Sequence, residues 1–325
     1  MRYEEYCNYV CEHMKDYLPE EYASAKFISW DQELLNGEKR RALTIDIETM
    51  PDREIKVSPS LHLNDFYMDY QEDLRKSGDP EAVTRSMERI ADVFGSAMQK
   101  IVESELDVNE LFRPEYMERN VMPVLVNYDA NRKILQNIPH RQFLNLAVYY
   151  RMEAMSGSAI INNILMAKAG LTEEDLYNAA LKNMEQKSFQ ITNMSDMLKR
   201  FGEDTEDIDM PMYVITSNGY EYGASAILST ACMDQASKLI GKPFYILPSS
   251  VYEVIVIPKE GMDLEEVQRG VSEINRNVLD TREYLSDEVY SFSAQTKEVT
   301  QETHAWERQR EEAGQKKQLQ PRLGF

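Results

Sequence analysis

The segment Ile45-Asp46-Ile47-Glu48-Thr49 reads as a strand, and alternation along a strand puts the carboxylates of Asp46 and Glu48 on one face. Two acids so placed are the beginning of a two-metal site, in which the ions activate water for hydrolysis, as in a nuclease. Such a site needs further carboxylates from later segments. Asp129 and Asp175 can be nominated, but neither stands in a recognisable second motif. The simpler expectation is the polar face of a half-exposed strand.

Other residues raise other chemistries. Ser249 and Ser250 follow Pro248, and a tight turn can present a serine hydroxyl as a nucleophile if a base activates it. His62 and His140 are the histidines well inside the chain, and no Gly-x-Ser-x-Gly elbow surrounds either serine, so the hydroxyls are expected to bond the backbone of a turn. His140, between Pro139 and Arg141, is the histidine to test, and a hydrogen-bonded structural role is expected for it. The run Asn218-Gly219-Tyr220-Glu221-Tyr222-Gly223-Ala224-Ser225 lies between a strand and a helix, where phosphate loops occur. It lacks the Gly-Lys-Ser/Thr ending, and Glu221 repels a phosphate, so turn glycines are expected. Cys7 and Cys11 share a helix face with no second ligand pair and His13 pointing elsewhere, which suits buried thiols better than a metal. No catalytic residue, cofactor-binding residue or metal ligand is assigned on these grounds.

The elements that would hold these residues follow from spacing. Tyr3, Cys7, Val10, Met14 and Tyr17 recur at helical intervals, so a helix is predicted up to Pro19. Residues 26–34 and 41–48 are strand-like and flank Asn36-Gly37, a tight-reversal dipeptide, so they form a hairpin. Helices are predicted over 61–76 and 80–103, with Asp79 as cap and Pro80 in the first turn. A loop containing Pro114 follows at 113–120, then strands at 121–126 and 143–151, a short apolar run at 159–166, and a helix from Thr172 to 187 opened by Thr-Glu-Glu-Asp. Residues 202–209 read as a solvated acidic loop. Strands are predicted at 212–216, 244–247 and 251–257, helices within 226–240 and over 263–279, and an edge strand at 289–292. The chain from 296 onward is polar and reads as a frayed helix or disordered tail. Tyr149, Tyr150, Tyr220 and Tyr222 lie in or beside predicted strands, where tyrosine serves the core more often than an interface.

Composition sets the outer limits. With 325 residues, 42% hydrophobic, the chain can bury a sizeable core, and 56 acidic against 36 basic residues give a net charge of -20 that disfavours nucleic acid. Three cysteines suit a reducing compartment, and the Met-Arg-Tyr-Glu-Glu-Tyr start carries no signal-peptide pattern, so a cytoplasmic location without membrane association is expected.

Several phrases resemble an uncharacterised bacterial family, a domain of unknown function numbered five-six-eight-eight. They are Val57-Ser58-Pro59-Ser60-Leu61-His62-Leu63, Ile138-Pro139-His140-Arg141 with Phe143 to Arg151, Met212 to Asn218, Gly223-Ala224, and Tyr245 to Val254 around Leu-Pro-Ser-Ser. The resemblance reaches about residue 295 and implies a fold, with no activity or site residue to carry over.

The expected fold is α+β: an N-terminal helix, β-hairpin and helices over 1–118, a mixed C-terminal sheet flanked by helices over 119–295, and a polar tail over 296–325. The expected function is a non-enzymatic interaction or regulatory protein that binds another protein. The alternative is a metal-dependent hydrolase or nuclease using Asp46 and Glu48.

Overall fold

In the first helix, α1 (Tyr3–His13), the residues at the core spacing, Cys7 and Val10, are buried together with Tyr6, and Met14 continues the stripe in a 3-10 turn. The computed structural model describes residues 1–46, 58–103, 108–154, 157–200, 211–217, 222–248 and 250–303. These divide into two compact units, Met1–Met117 with Ala154–Ser158, and Glu118–Glu153 with Ala159–Phe325. The class is α+β.

In the first unit, β1 (Lys26–Glu33) and β2 (Lys39–Asp46) form the predicted hairpin, and β3 (Leu61–His62) adds to the far side of β2. Asn36 and Gly37 turn the chain with φ of 58° and 76°, the left-handed region that Asn and Gly tolerate best. The register sets Phe27 opposite Ile45 and Ser29 opposite Leu43, which collects Phe27, Leu43 and Ile45 on one face. That face packs on α1, α2 (Leu63–Ser77) and α3 (Ala82–Glu103), with Phe27 edge-on to Phe94 at 5.3 Å between ring centroids. Gly78 ends α2 at φ 64°, and Asp79 accepts the Glu81 amide at 2.9 Å before α3.

Pro114 starts a helix instead of a loop: α4 (Pro114–Asn120) uses the fixed φ of proline in its first turn. In the second unit, β4 (Val121–Asn127) runs into α5 (Tyr128–Leu135), capped by Asn127, whose Oδ1 accepts the Ala130 amide at 3.0 Å. The strand expected over 143–151 is a hairpin, β5 (His140–Phe143) and β6 (Leu146–Ala154), reversed at Leu144 with φ 57°. A bulky residue in that conformation leaves no sequence signal for a turn. The apolar run at 159–166 is shared by β7 (Gly157–Ile160), which pairs with β6, and α6 (Asn163–Lys168). α7 (Glu173–Glu185) carries the Thr172–Asp175 capping box.

The larger sheet of this unit joins β8 (Phe189–Asn193), β9 (Tyr213–Ser217), β10 (Phe244–Leu247), β11 (Val254–Pro258), β12 (Tyr290–Ser293) and β13 (Glu298–Gln301) in the order β13-β12-β10-β11-β9-β8. Every neighbour in it is antiparallel, so the expected mixing of strand directions is not found there. The 289–292 strand is internal, because β13 pairs outside it; the segment read as tail therefore supplies the true edge strand through Gln301. α8 (Met194–Arg200) follows β8, α9 (Thr230–Ile240) follows a 3-10 turn at Gly223–Leu228, and α10 (Leu264–Val278) is capped by Asp263. The expectations for 202–209 and for 304–325 lie outside the described residues. Among the described residues no helix is long and apolar enough to cross a membrane.

Gly223 is where three backbones meet. A Cβ there would lie 2.2 Å from the Tyr252 carbonyl oxygen and 3.1 Å from the Ser217 nitrogen, so only glycine lets the 3-10 turn approach the β10–β11 connection. Replacing Gly223 with alanine is expected to lower unfolding free energy by about 1–3 kcal/mol. Denaturant titration checks this, and an unchanged midpoint would contradict the close approach.

Candidate functional site

Of the carboxylates nominated for metal chemistry, Asp129 and Asp175 have local structural roles. Asp46 ends β2, half-buried, and Glu48 lies outside the described residues. Asp129 pairs with Arg132 one turn along α5 at 2.6 Å. Asp175 Oδ2 accepts the Thr172 hydroxyl at 2.5 Å and the Thr172 amide at 2.8 Å, and these bonds hold its carboxyl below the usual range. Among the described residues no three His, Cys, Asp or Glu side chains gather as a metal group.

Ser250 is buried, bridges to Tyr284, and accepts the Tyr252 amide on Oγ at 3.0 Å, which is the turn role. Ser249 lies outside the described residues. His140 Nδ1 is 3.0 Å from the Ile138 carbonyl oxygen, which can only accept, so Nδ1 carries the hydrogen. His62 Nε2 lies 3.2 Å from Gln32 Oε1 and donates to it. The glycine-rich run is described from Tyr222 on: Ala224 donates its amide to Val251 O at 3.2 Å, and Ser225 Oγ donates to Pro123 O at 2.9 Å. Those donors serve the protein's own backbone. Residues 218–221 lie outside the described residues.

Burial pushes the Cys7 thiol up to about 11 and the Cys232 thiol up to about 12, and raises Cys11 as well, so all three resist becoming thiolates at neutral pH. Tyr149 and Tyr150 are wholly buried on β6, so they are core tyrosines. Tyr150 donates its hydroxyl to Glu173, which also takes two bonds from Arg141 at 3.2 and 2.8 Å, while the guanidinium lies 4.0 Å from the Tyr177 ring centroid. This anchor between β5, β6 and α7 is invisible to a reading that weighs each segment alone.

Among the described residues several large apolar side chains are exposed, two of them side by side on one strand. On β1, Ile28 is 37% and Trp30 41% exposed, at alternate positions on the face opposite the core residue Phe27. Ala42 lies between Trp30 and His62 in one cross-strand row and is fully buried, and the His62–Gln32 bond spans the same face. Arg40 closes its end, bonded to Glu38 at 2.6 Å and Asp65 at 2.7 Å. Among the described residues β1 pairs only with β2, so its other side presents backbone donors and acceptors. The strand-like run at 26–34 carries no sign of which face is core, and it is the burial of Phe27 that turns Ile28 and Trp30 outward.

Glu253, in the connection before β11 and not in a strand as expected, has its carboxyl raised by burial and then by the nearby Glu283. With a folded pKa above the unfolded one, its charged form opposes folding. Stability is therefore lost as pH rises above the ordinary carboxylate range through the folded value. Glu253→Gln is expected to raise unfolding free energy at pH 7 by at most about 1 kcal/mol, the scale of half-exposed charge pairs, and to change nothing below the unfolded pKa. Urea titrations at pH 4 and pH 7 check the sign.

Comparison with known proteins adds one match: a Family of unknown function (DUF5688), whose model covers residues 3–294. No curated protein and no solved structure matches the chain.

Proposed function

Because the chain belongs to this family of unknown function, its role has to be argued from its own residues, and we propose that it is a non-enzymatic interaction protein that receives an extended segment of a partner protein along β1. The observation that carries this is the exposed pair Ile28 and Trp30 beside a strand edge paired on one side only among the described residues. An added strand takes main-chain hydrogen bonds from that edge, and its alternate side chains cover the two apolar residues. A tryptophan with a neighbouring aliphatic residue is the kind of anchor that carries interface energy. The net charge of -20 favours a partner segment whose flanks are basic.

The test compares the full chain with an Ile28→Ser/Trp30→Ser variant in capture from native lysate, followed by amide exchange on the purified complex. A partner retained by the parent and lost by the variant is expected, with exchange across residues 26–33 slowed at least about tenfold in the complex. Capture of background proteins alone, or unchanged exchange over 26–33, overturns the reading. The hydrolase alternative forecasts something else, Mn binding that disappears in Asp46→Ala.

A further inference from the structure

The hairpin register fixes which backbone groups β1 turns to its outer edge. Leu34 donates its amide to Glu38 O at 2.7 Å, one step beyond the Glu33–Lys39 pair, so Leu34 and Glu38 form a hydrogen-bonded pair. Along an antiparallel ladder such pairs alternate with open ones, in which amide and carbonyl point away from the partner strand. Phe27, Ser29 and Asp31, opposite Ile45, Leu43 and Arg41, are therefore open positions of β1. The β2 side agrees: the Arg41 amide donates to Asn64 Oδ1 at 2.9 Å and the Ile45 amide to Ser58 Oγ at 3.3 Å, both away from β1. The backbone of Phe27, Ser29 and Asp31 faces the edge at which, among the described residues, no strand pairs. Ile28 and Trp30 stand between them on the exposed face.

We propose that this edge pairs with the β1 edge of a second copy of the chain, the two strands running antiparallel about a two-fold axis at Ser29. The inference rests on the reading of β1 as a docking edge and names its partner. A two-fold contact is self-complementary, so that residue i meets j and j meets i. With the axis perpendicular to the joined sheet, equal faces meet, which leaves only registers that pair like-facing residues. At Ser29 the axis sets Ile28 opposite Trp30 of the other copy, twice over, and gathers all four apolar side chains on one face. Ser29 then meets Ser29, and Phe27 meets Asp31 on either side; all carry outward backbone, so each pair exchanges both of its bonds. Ile28 and Trp30 fall in the non-hydrogen-bonded pairs, where side chains come closest and an aromatic beside a β-branched residue is favourable. No like charges meet along the strand, since Lys26 faces Gln32 and Glu33 faces Ala25. Moving the axis to Ile28 sets Trp30 against Lys26, and moving it to Trp30 sets Phe27 against Glu33. Repulsion between copies that each carry a net charge of -20 keeps the dimer weak, and salt screens it.

Sedimentation equilibrium of the full chain in about 0.3 M salt, between about 1 and about 300 µM, is expected to show a mass rising from that of one chain towards that of two. Trp30→Lys, a change at an exposed side chain, is expected to weaken the dimer at least tenfold while the circular dichroism spectrum stays unchanged. An equimolar mixture of Ile28→Cys and Trp30→Cys chains tests the register and keeps one Ile28–Trp30 pair intact. The two new thiols would sit on α-carbons about 4.5 Å apart, within disulfide reach, whereas two copies of either variant alone would hold theirs about 7–8 Å apart, beyond it. Mild oxidation is expected to cross-link the mixture at least tenfold faster than either variant alone, with the parent oxidised alongside to control for its own cysteines. A monomer throughout the concentration range, a dimer untouched by Trp30→Lys, or either variant cross-linking with itself as fast as the mixture overturns the proposal. A lysate partner that slows exchange over residues 26–33 while the purified chain stays monomeric sinks this inference and keeps the strand-edge reading. Exchange over 26–33 that responds neither to a partner nor to concentration overturns both.

Discussion

The second unit depends on a half-buried amide. Asn145, in the β5–β6 turn, donates from Nδ2 to Ser286 Oγ at 3.1 Å, accepts the Tyr290 hydroxyl on Oδ1, and accepts the Tyr128 amide on its carbonyl at 3.1 Å. Ser286 Oγ is also 2.9 Å from the Tyr290 hydroxyl and accepts the Glu288 amide at 3.0 Å. Around this knot Asn127 donates to Leu285 O at 3.0 Å and Asn275 to Ser286 O at 3.0 Å. The smaller sheet is thereby fastened to the segment that leads into β12. Each such bond adds only about 1 kcal/mol net, but a buried group left without its partner costs about 1–3 kcal/mol. The same knot holds Leu144 in a left-handed conformation that disfavours an L residue by roughly 1–2 kcal/mol. Polar side chains that could be mistaken for chemistry are here the joints of the fold.

That explains which parts of the structure could be read from sequence. Local signals were reliable: the Tyr3–Met14 spacing, Asn36-Gly37, the Thr172 capping box and Asp263 at the start of α10 all act within one segment. What was missed depends on distant partners. The Leu144 reversal is stabilised by residues some 140 positions away, and nothing in Phe-Leu-Asn-Leu marks a turn. β13 reads as a polar tail because its pairing with β12 is mediated by backbone, and edge strands need few apolar residues. Pro114 was read as a loop signal although proline is equally at home in the first turn of a helix.

The candidate site was legible only in outline. The nominated residues that are described divide into caps, turn formers and core: Asp175 and Asp129 at helix starts, Ser250 in a turn, Cys7 and Tyr149 in the interior. Ile28 and Trp30 on β1, two of the large apolar side chains left exposed among the described residues, carry no motif. They emerge once register assigns Phe27 to the core and so turns its neighbours outward. Surface chemistry of this sort is set by what the fold leaves uncovered, a property of the assembled unit.

A double-mutant cycle on Asn145→Ala and Tyr290→Phe tests most directly whether these polar groups act as one structural joint. With unfolding free energies measured for the parent, both single variants and the double variant, a coupling of about 1–3 kcal/mol is predicted, because either substitution strands the other's partner. Additivity within about 0.5 kcal/mol would show that the two side chains act independently and would contradict the account.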